Sequence, residues 1–245
     1  MIIKEAQERI NSYTTDENHQ PFKVEFKVRP PIFLSWPWIY LDGIIQHLAV
    51  RDALGDLFYD LPTNHFFSFD KMQLPLKRTE DVYHASVGIY HEPKTKLTRI
   101  YKRFEDYYLQ FHPKLEKRKY NIGSGHFRNH MLNYPILITK RVTFYGCGDI
   151  NTIDKLLGHL THLGKKSAIG AGRIRSYKIK EAGADYSFYK ENHGVMRPIP
   201  TSLNVPLPKE EGQVWMRMTY KPPYWDQRHA TLCWAPKNQI GEALE

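Results

Sequence analysis

The sequence predicts an α+β fold in which one antiparallel sheet carries two helices on one face. Three observations point there: strict apolar–charged alternation at residues 22–29, two stretches with helical apolar spacing at 44–49 and 153–163, and β-branched or aromatic runs between and after them. Phe22, Val24, Phe26 and Val28 alternate with Lys23, Glu25, Lys27 and Arg29, the pattern of a half-buried first strand. After the Pro- and Trp-rich turn from Pro30 to Trp38, Asp42 is placed to cap a helix whose apolar residues Ile44, Ile45, Leu48 and Ala49 share a face. Tyr83, Ala85, Val87 and Ile89 alternate again, EPKTK at 92–96 supplies a turn, and Leu97 to Phe104 is expected to return as the partner strand of a hairpin.

From Tyr107 to Tyr134 the periodicity dissolves into basic and aromatic residues around Gly123 and Gly125, which predicts an extended insertion. PILITKRVTFY at 135–145 is rich in β-branched and aromatic residues and ends at Gly146 and Gly148, as a central strand does. Asp149 or Asn151 can cap a second helix with Ile153, Leu156, Leu157, Leu160 and Leu163 on one face, stopped by Gly164. GKKSAIGAGR follows, then a strand from Arg173 to Lys180. The order β, α, β-hairpin, α, β is that of a ferredoxin-like (RRM-like) sandwich. The expected organisation is an N-terminal segment over 1–20, a ferredoxin-like domain over 21–183 with a basic insertion at about 92–134, and a C-terminal extension over 184–245 packed on it. The extension carries proline clusters and one good strand, Val214 to Tyr220, so it reads as β/loop structure.

The two cysteines, Cys147 and Cys233, are too few for a disulfide framework and form no CxxC pair, which fits a reducing cytoplasm. Met1 to Ile10 lacks a signal-peptide apolar core and no stretch has the length of a membrane span, so no membrane partner is expected. The net charge of +9 is unevenly spread: residues 1–60 hold six Lys/Arg against nine Asp/Glu, 94–128 hold ten against three, and 164–180 hold six against none. Clustering of this kind is the footprint of a polyanionic partner.

In the loop at 164–173, Gly164, Gly170 and Gly172 punctuate a run with Lys165, Lys166, Ser167 and Arg173. Glycines permit positive backbone angles and close approach, so several amides could face an anion. The spacing fits neither GxxxxGK[ST] nor GxGxxG, and the order helix, loop, strand puts no helix N-terminus at a phosphate. That argues against ATP or NAD and for contact along a polymer backbone.

This loop, between helix and strand, resembles the C-terminal glycine-rich loop of the RAMP superfamily, the ferredoxin-like RNA-binding proteins of CRISPR systems. PIFLSWPWIYLDGIIQHLA at 31–49, RPIP at 197–200 and KPPYWDQRHATLCW at 221–234 resemble the subunit of type IV CRISPR effector complexes that corresponds to the fifth Cas family. The resemblance implies a non-catalytic subunit that binds the guide RNA (crRNA) and caps its 5′ handle. It implies RNA contact by Gly164, Lys165, Lys166, Ser167, Gly170, Gly172 and Arg173, with Arg175 following on the next strand. The implied partners are guide RNA and the backbone and large subunits, with target DNA left open as a partner reached through the complex. Composition adds Lys102, Arg103, Lys117, Arg118, Lys119, Tyr120 and Arg128, where cations interleave with aromatic rings that can stack on unpaired bases. Trp36-Pro37-Trp38 and Pro222 to Trp225 are candidate protein interfaces.

The rival reading is an endoribonuclease of the same superfamily that cuts repeat RNA without metal, using a histidine as general base. His47, with Arg51 four residues on, and His126, with His130 beside Arg128, are the candidates. No cofactor and no metal is expected: His159 and His162 are one turn apart and Cys147 could approach them, but no fourth ligand is evident. GxSxG and HExxH are absent, which argues against a metabolic hydrolase.

Overall fold

The computed structural model describes residues 2–16, 18–62, 65–105, 121, 123–125, 128–208 and 212–240. The elements, in chain order, begin with α1 (Ile2–Asn11), β1 (Gln20–Val28), β2 (Ile32–Phe33), α2 (Leu41–Leu54) and α3 (Leu57–Asp60). Next come β3 (Arg78–Thr79), β4 (Val82–Tyr83), β5 (Ile89–Tyr90), β6 (Lys94–Lys102), β7 (His130–Ile138), β8 (Arg141–Gly148) and α4 (Ile150–Leu157). The chain continues through β9 (Ile174–Glu181), β10 (Tyr189–Lys190), β11 (Gly194–Val195), β12 (Ile199–Pro200), β13 (Trp215–Thr219) and β14 (Ala230–Trp234).

Four strands form the main sheet in the order β5-β8-β1-β9, every neighbour antiparallel. The alternation in β1 sets which face is buried. Phe22, Val24 and Phe26 are fully buried, and Phe26 lies opposite Val142 with its ring edge-on to Phe144 at 5.8 Å. The helices α2 and α4 cover this face with Ile45, Leu48, Ala49, Ile153, Leu156 and Leu157. The amphipathic α1, absent from the sequence expectation, packs on α2 through Ala6 and Ile10, one helical turn apart. Asp149 caps α4 as expected, accepting from the Asn151 amide at 3.0 Å. The helix ends at Leu157 rather than at Leu163, yet Leu163 remains buried in the core.

Three expectations are corrected. The segment 97–104 does not return beside 83–89. Residues 82–90 are buried throughout and end in β5 on the edge of β8, whereas β6 is exposed or half-buried along its length and could not be enclosed there. Instead β6 pairs with β7 over a nine-residue register from Lys94↔Ile138 to Lys102↔His130, so the insertion begins and ends in long regular strands. The run 135–145 is likewise two strands, β7 and β8. They break at the buried Thr139, whose hydroxyl donates to the His91 carbonyl at 2.6 Å and the Arg141 carbonyl at 3.0 Å.

The third correction concerns Asp42, which is not a helix cap. It lies inside the first turn of α2, buried, and takes an ion pair from the fully buried Arg197 at 3.1 Å and a hydrogen bond from the Tyr224 hydroxyl at 2.9 Å. Burial pushes the Asp42 carboxyl up, while Arg197, Tyr224 and the Gly43 amide oppose that shift. Arg197 also donates to the carbonyls of Tyr83, Ala85 (3.1 Å) and Tyr220 (2.6 Å). One guanidinium therefore ties α2, the 83–85 segment and the C-terminal residues together. Those residues form a three-stranded sheet ordered β12-β14-β13, with β13 where the sequence predicts a strand over 214–220.

Candidate nucleic-acid interface

The glycine loop is clamped to the segment before α2. The Lys165 amide donates to the Phe33 carbonyl at 2.8 Å, the Gly172 amide to the Pro31 carbonyl at 2.8 Å, and the Leu163 amide to the Gly172 carbonyl at 2.9 Å. Two glycines make this seat possible. A Cβ on Gly172 (φ +64°) would stand 1.9 Å from the Leu163 carbonyl oxygen, and one on Gly164 (φ +81°) 2.7 Å from that of Phe33. Gly172 is thus buried and consumed by the fold. Gly164, Lys165, Lys166, Ser167 and Gly170 are exposed, and the amides of Lys166, Ser167 and Ala168 have no acceptor among the described residues. These three are consecutive and exposed, so they are the amides of the loop that can face one anion together. Arg173 is exposed and lies opposite His162 across an antiparallel bridge.

Through Phe33 the loop joins the β6–β7 arm. Strands β2, β7 and β6 form one sheet, and a single rung runs Lys96↔Ile136↔Phe33↔Lys165. Residues opposite one another share a face, and period two along β6 puts Lys94, Lys96 and Lys102 on the face of Lys165. Tyr134 shares that face, with the Lys166 ammonium 4.9 Å from its ring centre and Phe33 at 5.9 Å. The two basic blocks of the sequence are therefore contiguous in space. Lys102 ends β6, and Arg103 beyond it is exposed with its guanidinium 5.9 Å from the Tyr101 ring. Arg128 is exposed just before β7. Lys117, Arg118, Lys119, Tyr120 and His126 lie outside the described residues. Arg175 stands apart from the loop, in a cleft of about 310 Å³ lined by Lys27, Lys140 and Arg141 at the end of the main sheet.

On its other side the loop borders a groove of about 710 Å³ against α2. Tyr40, Ile44, His47 and Arg51 form the α2 wall, residues 159–165 and Ser167 the opposite wall, and Trp36 and Trp225 also line it; among the described residues no carboxylate does. Exclusion of water, and next the Arg51 charge, lower the His47 pKa below its ordinary value. Arg51 donates to the Tyr59 hydroxyl at 2.9 Å, which holds its guanidinium near the Phe58 ring. His159 and His162 line the same groove, whereas Cys147 is buried in β8. Among the described residues no group of three metal-ligating side chains stands together. No helix among them is long and apolar enough to cross a membrane.

Sequence reasoning missed Tyr134, Phe33, Lys94 and Lys96, because only strand register shows that they share the face of the loop. The sequence matches the family described as CRISPR type IV associated protein Csf3 over residues 20–236. The chain belongs to this Csf3 family. No curated protein matches it. The Csf3 match spans the main sheet, the β6–β7 arm, the glycine loop and the C-terminal sheet, and leaves out α1. Csf3 membership makes the chain a type IV CRISPR-associated protein and implies partner subunits.

Proposed function

We propose that the protein is a non-catalytic subunit of a type IV CRISPR ribonucleoprotein complex, holding the 5′ handle of the guide RNA along the glycine loop and the neighbouring face of the β6–β7 arm. The observation that carries the reading is the rung Lys96↔Ile136↔Phe33↔Lys165, which unites the two basic blocks into one exposed surface beside three partnerless amides. Cations there neutralise phosphates, the amides of Lys166, Ser167 and Ala168 donate to a phosphate oxygen at close range, and the Tyr134 ring offers a stacking face. In this reading the main sheet with α2 and α4 is a ferredoxin-like unit of the RAMP type, and the chain is the Cas-five-type member of its complex in the cytoplasm. The strand order β5-β8-β1-β9, traversed as β1, α2, β5, β8, α4, β9, supports that assignment. Neighbouring backbone and large subunits occupy other surfaces.

The test is binding of single-stranded RNA to the purified protein over a range of salt. If about six phosphates are neutralised, affinity falls on the order of 300-fold between about 50 and 200 mM salt, with a slope of ~0.7 per contact. A nearly flat response, or undiminished binding by a Lys165→Ala/Lys166→Ala/Arg173→Ala variant, contradicts the proposal.

A second reading, metal-independent cleavage of repeat RNA, draws on one observation: His47, its pKa lowered, and Arg51 face the same groove as the glycine loop. A neutral imidazole could take the 2′-hydroxyl proton and a guanidinium could steady the charged transition state. Cleavage of repeat RNA in chelator, lost in His47→Ala, would establish it; intact RNA after prolonged incubation removes it.

A further inference from the structure

We infer that the groove between α2 and the glycine loop is a nucleobase pocket, seating an unpaired base of the bound RNA against the exposed indoles of Trp36 and Trp225 while its phosphate lies on Lys165 and the loop amides. The inference rests on the RNA-binding reading above and adds which part of the nucleotide enters the groove.

Size and lining chemistry both fit. A volume of about 710 Å³ is in the range of small-ligand sites. Among the described residues the walls combine an apolar surface of Ile39, Ile44, Leu48 and Leu160 with two cations, Arg51 and Lys165, and no Asp or Glu. That balance suits a ligand with a flat apolar body and a negative charge at one end. The cleft around Arg78, Lys221 and Arg228 differs in kind: Asp70 and Asp226 line it too, and its cations pair with Asp81 or Asp226.

The aromatic residues divide into engaged and open ones. The Trp38 indole donates to the Lys237 carbonyl at 3.2 Å, and Tyr40 stacks on Tyr224 with ring centres 3.6 Å apart. Among the described residues Trp36, 67% exposed, makes no hydrogen bond or ring contact, and the one aromatic ring beside Trp225, 59% exposed, is the exposed Phe66 at 5.3 Å. An indole left open to water forgoes the stabilisation of burial, which stacking on a base would restore. Continuity makes the ligand a nucleotide of the same strand. Lys165 and Ser167 belong both to the groove wall and to the loop whose amides are free, so a phosphate held there carries its base to the groove. An aromatic side chain from another subunit would use the Trp residues but leave the two cations without a counter-charge.

The experiment compares a short single-stranded RNA with an abasic ribose-phosphate oligomer of equal length and charge, each titrated into the full-length protein by fluorescence anisotropy. Removing the bases is expected to weaken binding by the wild type about five- to 150-fold, the range of base–aromatic stacking. A Trp36→Ala/Trp225→Ala variant, its melting temperature checked against wild type, should lose most of that preference and keep only the share that stacking on Tyr134 supplies. Equal, salt-sensitive binding of both oligomers by wild type overturns the pocket and leaves the backbone-binding reading standing; binding of neither overturns both. A variant that keeps the full preference for bases while losing a partner subunit assigns the indoles to a protein contact and also overturns the pocket.

Discussion

Two glycines of one loop, with the same sign of φ, should respond very differently to a methyl group. At Gly170 (φ +79°) a Cβ meets nothing within 4 Å, so Gly170→Ala costs only the left-handed backbone of an L-residue, about 1–2 kcal/mol. At Gly172 (φ +64°) the same backbone cost applies, and the Cβ would also stand 1.9 Å from the Leu163 carbonyl oxygen. Relieving that clash separates Gly172 from Leu163 and from Pro31, losing hydrogen bonds of 2.9 and 2.8 Å worth about 0.5–1.5 kcal/mol each. Gly172→Ala should therefore cost roughly 2–5 kcal/mol in total. For a chain of this size each kcal/mol moves the melting temperature by about 2–4 °C, giving a fall of about 4–20 °C against about 2–8 °C for Gly170→Ala. Thermal unfolding followed by circular dichroism reads both. Equal shifts, or a larger one for Gly170→Ala, would refute the claim that Gly172 seats the loop.

Arg197→Met should destabilise by about 3–5 kcal/mol in urea unfolding, because it strands a buried Asp42, and adding Asp42→Asn should recover part of that loss. His47, His91 and His193 all have lowered pKa values, chiefly through burial, so the unfolded chain binds more protons than the folded one below their ordinary value of about 6.5. Stability should accordingly fall as pH drops from about 7.5 to 5.5, and the slope should flatten in a His47→Gln/His91→Gln/His193→Gln variant; an unchanged slope contradicts this. Tyr134→Ala removes the stacking face and the ring beside the Lys166 ammonium, and should weaken RNA binding about five- to 150-fold with little change in melting temperature.

Local chemistry made much of the main sheet and its helices readable. Alternation found β1, apolar spacing found α2 and α4, and Asp149 marked the start of α4. What periodicity does not encode is the identity of a strand's partner. β6 was recognisable as a strand, but only the contest for the buried edge of β8 decides that β5 takes that place and β6 turns to β7. Arg197 was equally hidden: an arginine before a proline reads as surface, and its burial depends on carbonyls more than 100 residues upstream together with Asp42. The glycine loop was visible as a motif, whereas its dual use of glycine was not. Gly164 and Gly172 permit close packing, while Gly170 and the lysines face solvent. The groove is assembled from residues near 36, 47, 162 and 225, and no window of sequence contains it.

The most direct test is photo-crosslinking of a guide RNA bearing a photoreactive 5′-terminal nucleotide to the protein purified with its CRISPR array transcript, with the attachment sites mapped by mass spectrometry. Crosslinks should fall on Lys165, Lys166, Tyr134 and the groove beside them. Attachment confined to the open face of the main sheet, at Lys23, Lys178 or Lys180, would contradict the account.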